Sequence, residues 1–496
     1  MARIVVVGAG AGGLTAAMRL AALGHQVTIC EASDRTGGKV ARYERDGFVF
    51  DTGPSLFTLP AVYREAFNST GASFDEAVNL RPLDIAFGYH WADGTTADLP
   101  GVDPGRIAAS LGSALGGRAE SDWRALIERA GRIWQITRRP FLESPLEGTS
   151  TLLRLARNPA QVRTVAPWSS LRALGRSYLH DPRLVTLLDR YATYTGSDPR
   201  RAPAALATVP YVEQAFGAWH LGGGITTLAD ALTQRCHEVG VEIRTGTDIT
   251  ALSTDSHGVR SVTTSTGEVI DADIVVANSD ATHLYGDLVT DPRARSARRR
   301  LERVTPSLSG FVILLAARGR TEGIRHHNVW FPEDYDAEFD DIFSRDARPV
   351  RDPTIYACVP DDPLMRPDDD HESWFLLINA PRHGRGAGCI DWERPGRAED
   401  YADHVLATLA DRGIDLRPRM LWRELRTPAD LQRSTRAPGG SIYGSSSNGA
   451  RAAFLRPANI SPVPGLYLVG GSAHPGGGLP LVGLSAQIVI DAIGSA

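Results

Sequence analysis

Lysine is all but missing: Lys39 is the single one among 53 basic residues, the rest being arginine. Chemistry that needs a side-chain amine therefore has one candidate in 496 residues. Cysteine is scarce as well. The four (Cys30, Cys236, Cys358, Cys389) lie far apart with no C-x-x-C pair, which excludes a disulfide framework or a spaced zinc motif and fits a reducing cytoplasm. Long hydrophobic runs are absent: residues 311–317 form the longest after the start, far below the ~18 needed to span a bilayer. The apolar start at residues 4–7 is too short for a signal-peptide core. No excess of positive charge calls for nucleic acid, since 58 acidic residues leave a net charge of −5. Disorder is excluded by 42% hydrophobic against 22% charged residues. The length fits about three folding units at ~150 residues each.

What is present begins at once. Ile4-Val5-Val6-Val7 is a short apolar run of buried parallel-strand type, and Gly8-Ala9-Gly10-Ala11-Gly12-Gly13 follows as G-x-G-x-x-G. Residues 14–23 carry helical periodicity, Gly24 stops them, and residues 25–30 read as a second strand ending at Glu31 and Ala32. Each position has a physical reason. Gly8 permits the tight turn, Gly10 lets a pyrophosphate approach the backbone, and Gly13 lets helix and strand pack closely. The helix start offers unpaired N–H groups to phosphates, and Glu31 can accept from ribose hydroxyls. NAD and FAD both use this unit.

The next residues favour FAD by resemblance. Asp34-Arg35-Thr36-Gly37-Gly38-Lys39 resembles the R-x-G-G-[RK] extension of the amine oxidase and phytoene desaturase superfamily. The resemblance implies that Gly37 and Gly38 run close to the FAD pyrophosphate and that Lys39 contacts it. Residues 47–54 resemble that superfamily's strand-turn beside the flavin ring, which brings Gly53, Pro54 and Ser55 there. Ile249 stands where the family's backbone meets adenine. Near the other end, Gly470-Gly471-Ser472-Ala473-His474-Pro475-Gly476-Gly477-Gly478-Leu479-Pro480-Leu481-Val482 resembles the G-x-x-x-H-P-G-x-G-[IV]-P pattern of carotenoid desaturases. It implies that Gly470, Gly471, Gly478, Leu479, Pro480 and Val482 border the flavin. Residues 190–196 and 440–444 look like the hydroxycarotenoid 3,4-desaturase branch. His474 has two readings: a catalytic group facing the ring, or a turn residue before Pro475.

The implied architecture is α/β: a Rossmann-like FAD-binding domain interleaved with a mixed-sheet substrate domain and a helical, membrane-facing subdomain. The expected division is 1–80, 216–300 and 450–496 for the FAD domain, 81–215 for the helical region and 301–449 for the substrate sheet. Expected helices are 122–137, 182–194, 225–239 and one from about 484. Expected strands are 241–244, 259–264, 274–278, 307–317, 354–359, 373–380 and 465–471.

A desaturase removes two hydrogens from adjacent carbons. An unactivated allylic C–H bond is far too weakly acidic for a histidine or carboxylate to deprotonate first. Hydride transfer to flavin N5 is the expected first step, because a polyene delocalises the cation left behind; a weak base then suffices. The expectation is therefore an FAD-dependent carotenoid desaturase, with non-covalent FAD, an apolar polyene substrate, oxygen or a quinone as acceptor, and no metal or nucleic acid. Competing readings are an amine oxidase, a desaturase of a polyketide or another isoprenoid, a carotenoid isomerase, and a flavin-binding protein without turnover. A carotenoid substrate would call for peripheral attachment to the inner face of the cell membrane. Residues 153–183 supply six arginines (154, 157, 163, 172, 176, 183) interleaved with apolar side chains, which reads as a basic docking surface or as a solvated helical lid. The arginine run 293–303 reads as a plain solvated helix.

Overall fold

The structure, a computed structural model, describes residues 1–146, 158–449 and 456–496. Five parallel strands form one sheet in the order Glu242–Arg244, Gln26–Cys30, Arg3–Val7, Ile274–Ala277 and Leu466–Leu468. Three separate stretches of chain thus supply one sheet. The continuous apolar run at its centre has a simple cause, since both faces are covered. Ile4 and Val6 pack with Leu14, Leu228 and Val489 of the helices Ala11–Ala22, Thr226–Glu238 and Leu479–Ile493. Val5 and Val7 face the other way, onto Leu252, Val262 and Leu284.

A second sheet of seven strands runs in the order Met420–Arg426, Ser309–Arg318, His371–Ala380, Ile355–Cys358, His327–Trp330, Ile85–His90 and Thr96–Pro100. Its central strand Ser309–Arg318 is buried at every position but the last. Phe311, Ile313 and Leu315 face the helix Arg397–Asp411, while Val312, Leu314 and Ala316 pack on Phe48 and Phe50. A helical layer made of Pro104–Leu115, Ala119–Leu142, Pro159–Val165, Leu171–Tyr178, Pro182–Arg190 and Thr208–Phe216 packs around a third core that includes Trp123, Leu126, Leu187 and Tyr191.

Several expectations are corrected. Residues 81–215 are not uniformly helical, because Ile85–His90 and Thr96–Pro100 form a hairpin that completes the seven-stranded sheet. The hairpin signal is Asp93-Gly94: Gly94 takes φ +83°, and the Trp91 N–H and Thr95 carbonyl close the turn at 2.9 Å. The last helix starts at Leu479 instead of 484, with Pro480 in its first turn, where a missing N–H costs nothing. The helix expected over 182–194 stops at Arg190 and continues as a tighter turn, Tyr191–Thr195, ended by Gly196 in the left-handed region.

Phe311 is fully buried, with its ring 5.3 Å from that of Trp392 and 5.1 Å from that of Tyr401. Phe311→Ala should cost about 3–5 kcal/mol, read as a lowered midpoint in urea denaturation of the flavin-loaded protein.

Candidate functional site

The first strand ends at Val7, and the chain turns into the helix Ala11–Ala22 over three residues, Gly8 to Gly10. A Cβ on Gly13 would collide with the Gly8 carbonyl, so this helix can approach the strand only with glycine there. The turn is fixed from below by Glu31. Its carboxylate accepts from the Ala9 N–H at 2.7 Å and from the Ser33 N–H and hydroxyl at 2.9 and 2.8 Å. Asn278, at the end of the fourth strand of the parallel sheet, fills the space that the glycines leave. A Cβ on Gly10 would lie 2.6 Å from its Oδ1, and its Nδ2 donates to the Val469 carbonyl at 3.2 Å. One side chain thereby joins the first turn to the carboxy-terminal motif. No local pattern in the sequence singles it out.

The other turns are held as tightly. Asp51 accepts from the Ile225 and Thr226 N–H groups at 2.8 and 3.0 Å, capping the helix Thr226–Glu238 and fastening residues 47–54 to the start of that helix. Asn459 donates to the carbonyls of Leu468 and His474 and to the Ser485 hydroxyl. Arg456, wholly buried, donates to the carbonyls of Tyr443, Gly471 and Ser445, and burial draws its pKa down to about 10. Neither residue stands out in the sequence, because each acts mainly on main-chain carbonyls far from it in the chain.

These turns surround one cavity of about 940 Å³. Gly8, Gly10, Gly12, Glu31, Ala32, Gly37, Gly38, Lys39, Gly53, Pro54, Ser55, Ile249, Gly470, Gly471, His474, Gly478, Leu479, Pro480 and Val482 all line it. Gly13 does not; it serves helix packing. The half-buried Lys39 ammonium donates to the Ile442 carbonyl at 2.6 Å and so ties the glycine pair to the loop beside the seven-stranded sheet, with two further N–H donors left on the cavity's edge. Burial lowers the pKa of this amine. His474 Nε2 donates to the Ser144 carbonyl at 3.0 Å, and burial depresses the imidazole pKa to about 4. A ring held neutral in this way is a hydrogen-bond donor and a poor proton acceptor.

Away from the glycines the lining turns apolar: Trp134, Phe141, Leu142, Val165, Leu206, Val209 and Val212 come from the helical layer. Two of the six arginines expected at the surface nearby are neutralised. Arg172 is buried against Asp189 and pairs with Asp336, and Arg183 pairs with Asp181 and Asp93. Arg154 and Arg157, with Leu153 and Leu155, lie outside the described residues. Arg163 and Arg176 are exposed, and Trp168 between them is 70% exposed. In the second arginine run, Arg293 pairs with Asp291 and Arg298 donates to the carbonyls of Tyr285 and Val289. No described helix is long and apolar enough to cross a membrane.

The glycine arm fits a flavin dinucleotide. A helix N-terminus faces it, glycines let flat or phosphate groups reach the backbone, and the Ser279 hydroxyl lines it buried and without a partner. Residues 11–369 match the family model described as flavin containing amine oxidoreductase. The chain belongs to this family. As a flavin-dependent oxidoreductase it has curated relatives over almost its whole length. It is 33% identical to the hydroxyneurosporene desaturase of Rubrivivax gelatinosus, covering 99% of this chain and 93% of that protein. It is 31% identical to the 1-hydroxycarotenoid 3,4-desaturase of a Flavobacterium strain, covering 99% of both. It is 30% identical to the 4,4'-diapolycopene oxygenase of a Methylomonas species, covering 99% and 98%. Among solved structures, cyclohexylamine oxidase from Brevibacterium oxydans shares the fold at TM-score 0.63 and 15% identity, covering 99% of this chain and 98% of that one.

Two outcomes follow for this flavoprotein. Glu31→Ala strands the Ala9 and Ser33 donors and should weaken flavin binding by about 1–3 kcal/mol, measured by flavin titration of stripped protein. His474 binds its proton less readily folded than unfolded, so stability should fall as pH drops from 6.5 towards about 4. His474→Gln should flatten that part of the stability–pH curve, measured by thermal unfolding.

Proposed function

We propose that this flavoprotein is an FAD-dependent desaturase that introduces a C=C bond into a carotenoid, at the 3,4 bond of an acyclic hydroxylated one. The observation that carries the reading is the cavity, in which the glycine cradle and the apolar arm are one continuous space. A soluble amine would need no apolar arm reaching into the helical layer. The names of the full-length relatives point the same way. FAD, bound non-covalently, fits the ordinary dinucleotide contacts of Gly8, Gly10, Gly12 and Glu31. When bound, the flavin accepts the electrons and one hydrogen that the substrate loses.

The chain's own part is positional. The apolar arm holds an extended polyene and keeps water from a developing carbocation, while the glycine turns let carbon and cofactor meet without intervening side chains. His474, donating to Ser144, orients the turn beside the ring instead of taking the proton. The reading calls for oxygen or a quinone as the final electron acceptor. The exposed Trp168, with Arg163 and Arg176, is suited to an anionic membrane surface from which an apolar substrate can enter.

Cells making lycopene or a 1-hydroxylated carotenoid should, on expressing this chain, accumulate a red-shifted pigment lighter by two hydrogens. The relatives named oxygenases favour one second reading, and a product heavier by oxygen would select it. Unchanged mass would mean isomerisation, and rapid flavin reduction by a soluble amine with no response to polyenes would overturn the substrate class. Acid precipitation should leave the yellow colour in solution; colour in the pellet would refute non-covalent binding. Co-sedimentation with liposomes should rise with anionic lipid and fall with salt and on Trp168→Ala.

A further inference from the structure

An apolar arm for a hydrocarbon has no need of buried charge, yet Arg190 and Glu213 line the cavity among the apolar residues of the helical layer. Arg190 closes the helix Pro182–Arg190, and Glu213 sits on the helix Thr208–Phe216; both line the cavity and both are buried. The guanidinium lies 4.9–5.8 Å from the ring centroids of Phe87, Tyr89, Tyr191, Tyr194 and Tyr356. Its Nη1 donates to the hydroxyls of Tyr194 at 2.8 Å and Tyr89 at 3.2 Å. Glu213 accepts from Tyr191 at 2.6 Å and from Tyr194 at 3.0 Å. The Tyr194 hydroxyl therefore bridges cation and anion.

The network is incomplete on one side. Five N–H donors belong to a guanidinium, and among the described residues only Nη1 finds acceptors; Nε and Nη2 have none. A buried guanidinium is stable only when its donors are matched. The missing acceptor need not be charged, because Glu213 already balances Arg190. What fits is a neutral oxygen. A hydroxyl fits best, since it can accept from Arg190 and donate to a free lone pair of Glu213, whereas an ether or ketone can only accept.

We propose that Arg190, Tyr194 and Glu213 form an end-group subsite that binds a hydroxyl substituent on the polyene and so fixes which carbon pair meets the flavin. The proposal rests on the polyene reading above and adds the residues that select the substrate within that class. The rings around the guanidinium make the subsite rigid, so the bound oxygen acts as a depth stop for a chain that otherwise slides freely.

The test uses flavin-loaded protein and two polyenes that differ only by a terminal hydroxyl, with dissociation constants read from the absorption shift of the bound polyene. The wild type should prefer the hydroxylated polyene by at least about tenfold, the scale of one hydrogen bond to a charged group. In Arg190→Met the ratio of the two constants should collapse towards one while flavin content stays the same. Tyr194→Phe keeps the ring and removes the bridge, so it should give an intermediate ratio; it also serves if the arginine variant does not fold. No preference in the wild type would overturn the subsite alone. So would equal weakening of both polyenes in the variants, or a shifted flavin potential with the preference intact, which would assign the charge to the cofactor. If neither polyene binds to flavin-loaded wild type, the polyene reading fails and the subsite with it.

Discussion

Backbone must come within touching distance of backbone where the Gly8–Gly13 turn, Asn278 and Gly470 converge, and every other part of the site is arranged around that contact. A Cβ at Gly10 or Gly12 would take the space of the Asn278 amide, so that amide is the side chain the turn admits. Hydrogen bonding along the turn therefore falls to main-chain N–H groups and to the few polar groups that reach in from outside. Glu31 tightens the turn from one side and Asn278 from the other. The result is a wall of exposed peptide dipoles at one end of a cavity whose other end is oil-like.

That polarity gradient explains how buried charge is distributed. Arg456 lies under the carboxy-terminal turn and spends its donors on three carbonyls, so it acts as an internal brace. Lys39, donating to the Ile442 carbonyl, links the Gly37–Gly38 stretch to the loop beside the seven-stranded sheet. Arg190 differs from both, because aromatic faces surround it and its donors are not exhausted. A buried cation braced by carbonyls reads as structure. A buried cation with donors to spare, open to a cavity, reads as recognition.

Legibility in the sequence followed the range of the interactions. The Gly8–Glu31 unit could be read because strand, turn, helix and second strand are neighbours in the chain and each obeys a local rule. The strand Ser309–Arg318 was legible from its unbroken apolar run. The hairpin around Gly94 is hard to read although Asp93-Gly94 carries a turn signal, because its strand Ile85–His90 finds its other partner in His327–Trp330, more than two hundred residues on. Asn278, Asn459 and Arg456 were illegible for a related reason: each bonds to main-chain atoms, which carry no residue-type signature. Charge counting over residues 153–183 misjudged the surface, since Asp189, Asp336 and Asp93 reach Arg172 and Arg183 from outside that window.

The parallel sheet has a consequence for the order of events during synthesis. Its edge strand Leu466–Leu468 pairs with Ile274–Ala277, whose other neighbour is the first strand of the chain. Residues 470–482 then form one wall of the cavity. A ribosome that has made the first three hundred residues has therefore produced a dinucleotide turn with no opposite wall. The nascent chain can hold a cofactor only loosely until Val482 has cleared the exit tunnel. Cofactor capture in this architecture therefore waits on the carboxy-terminal motif.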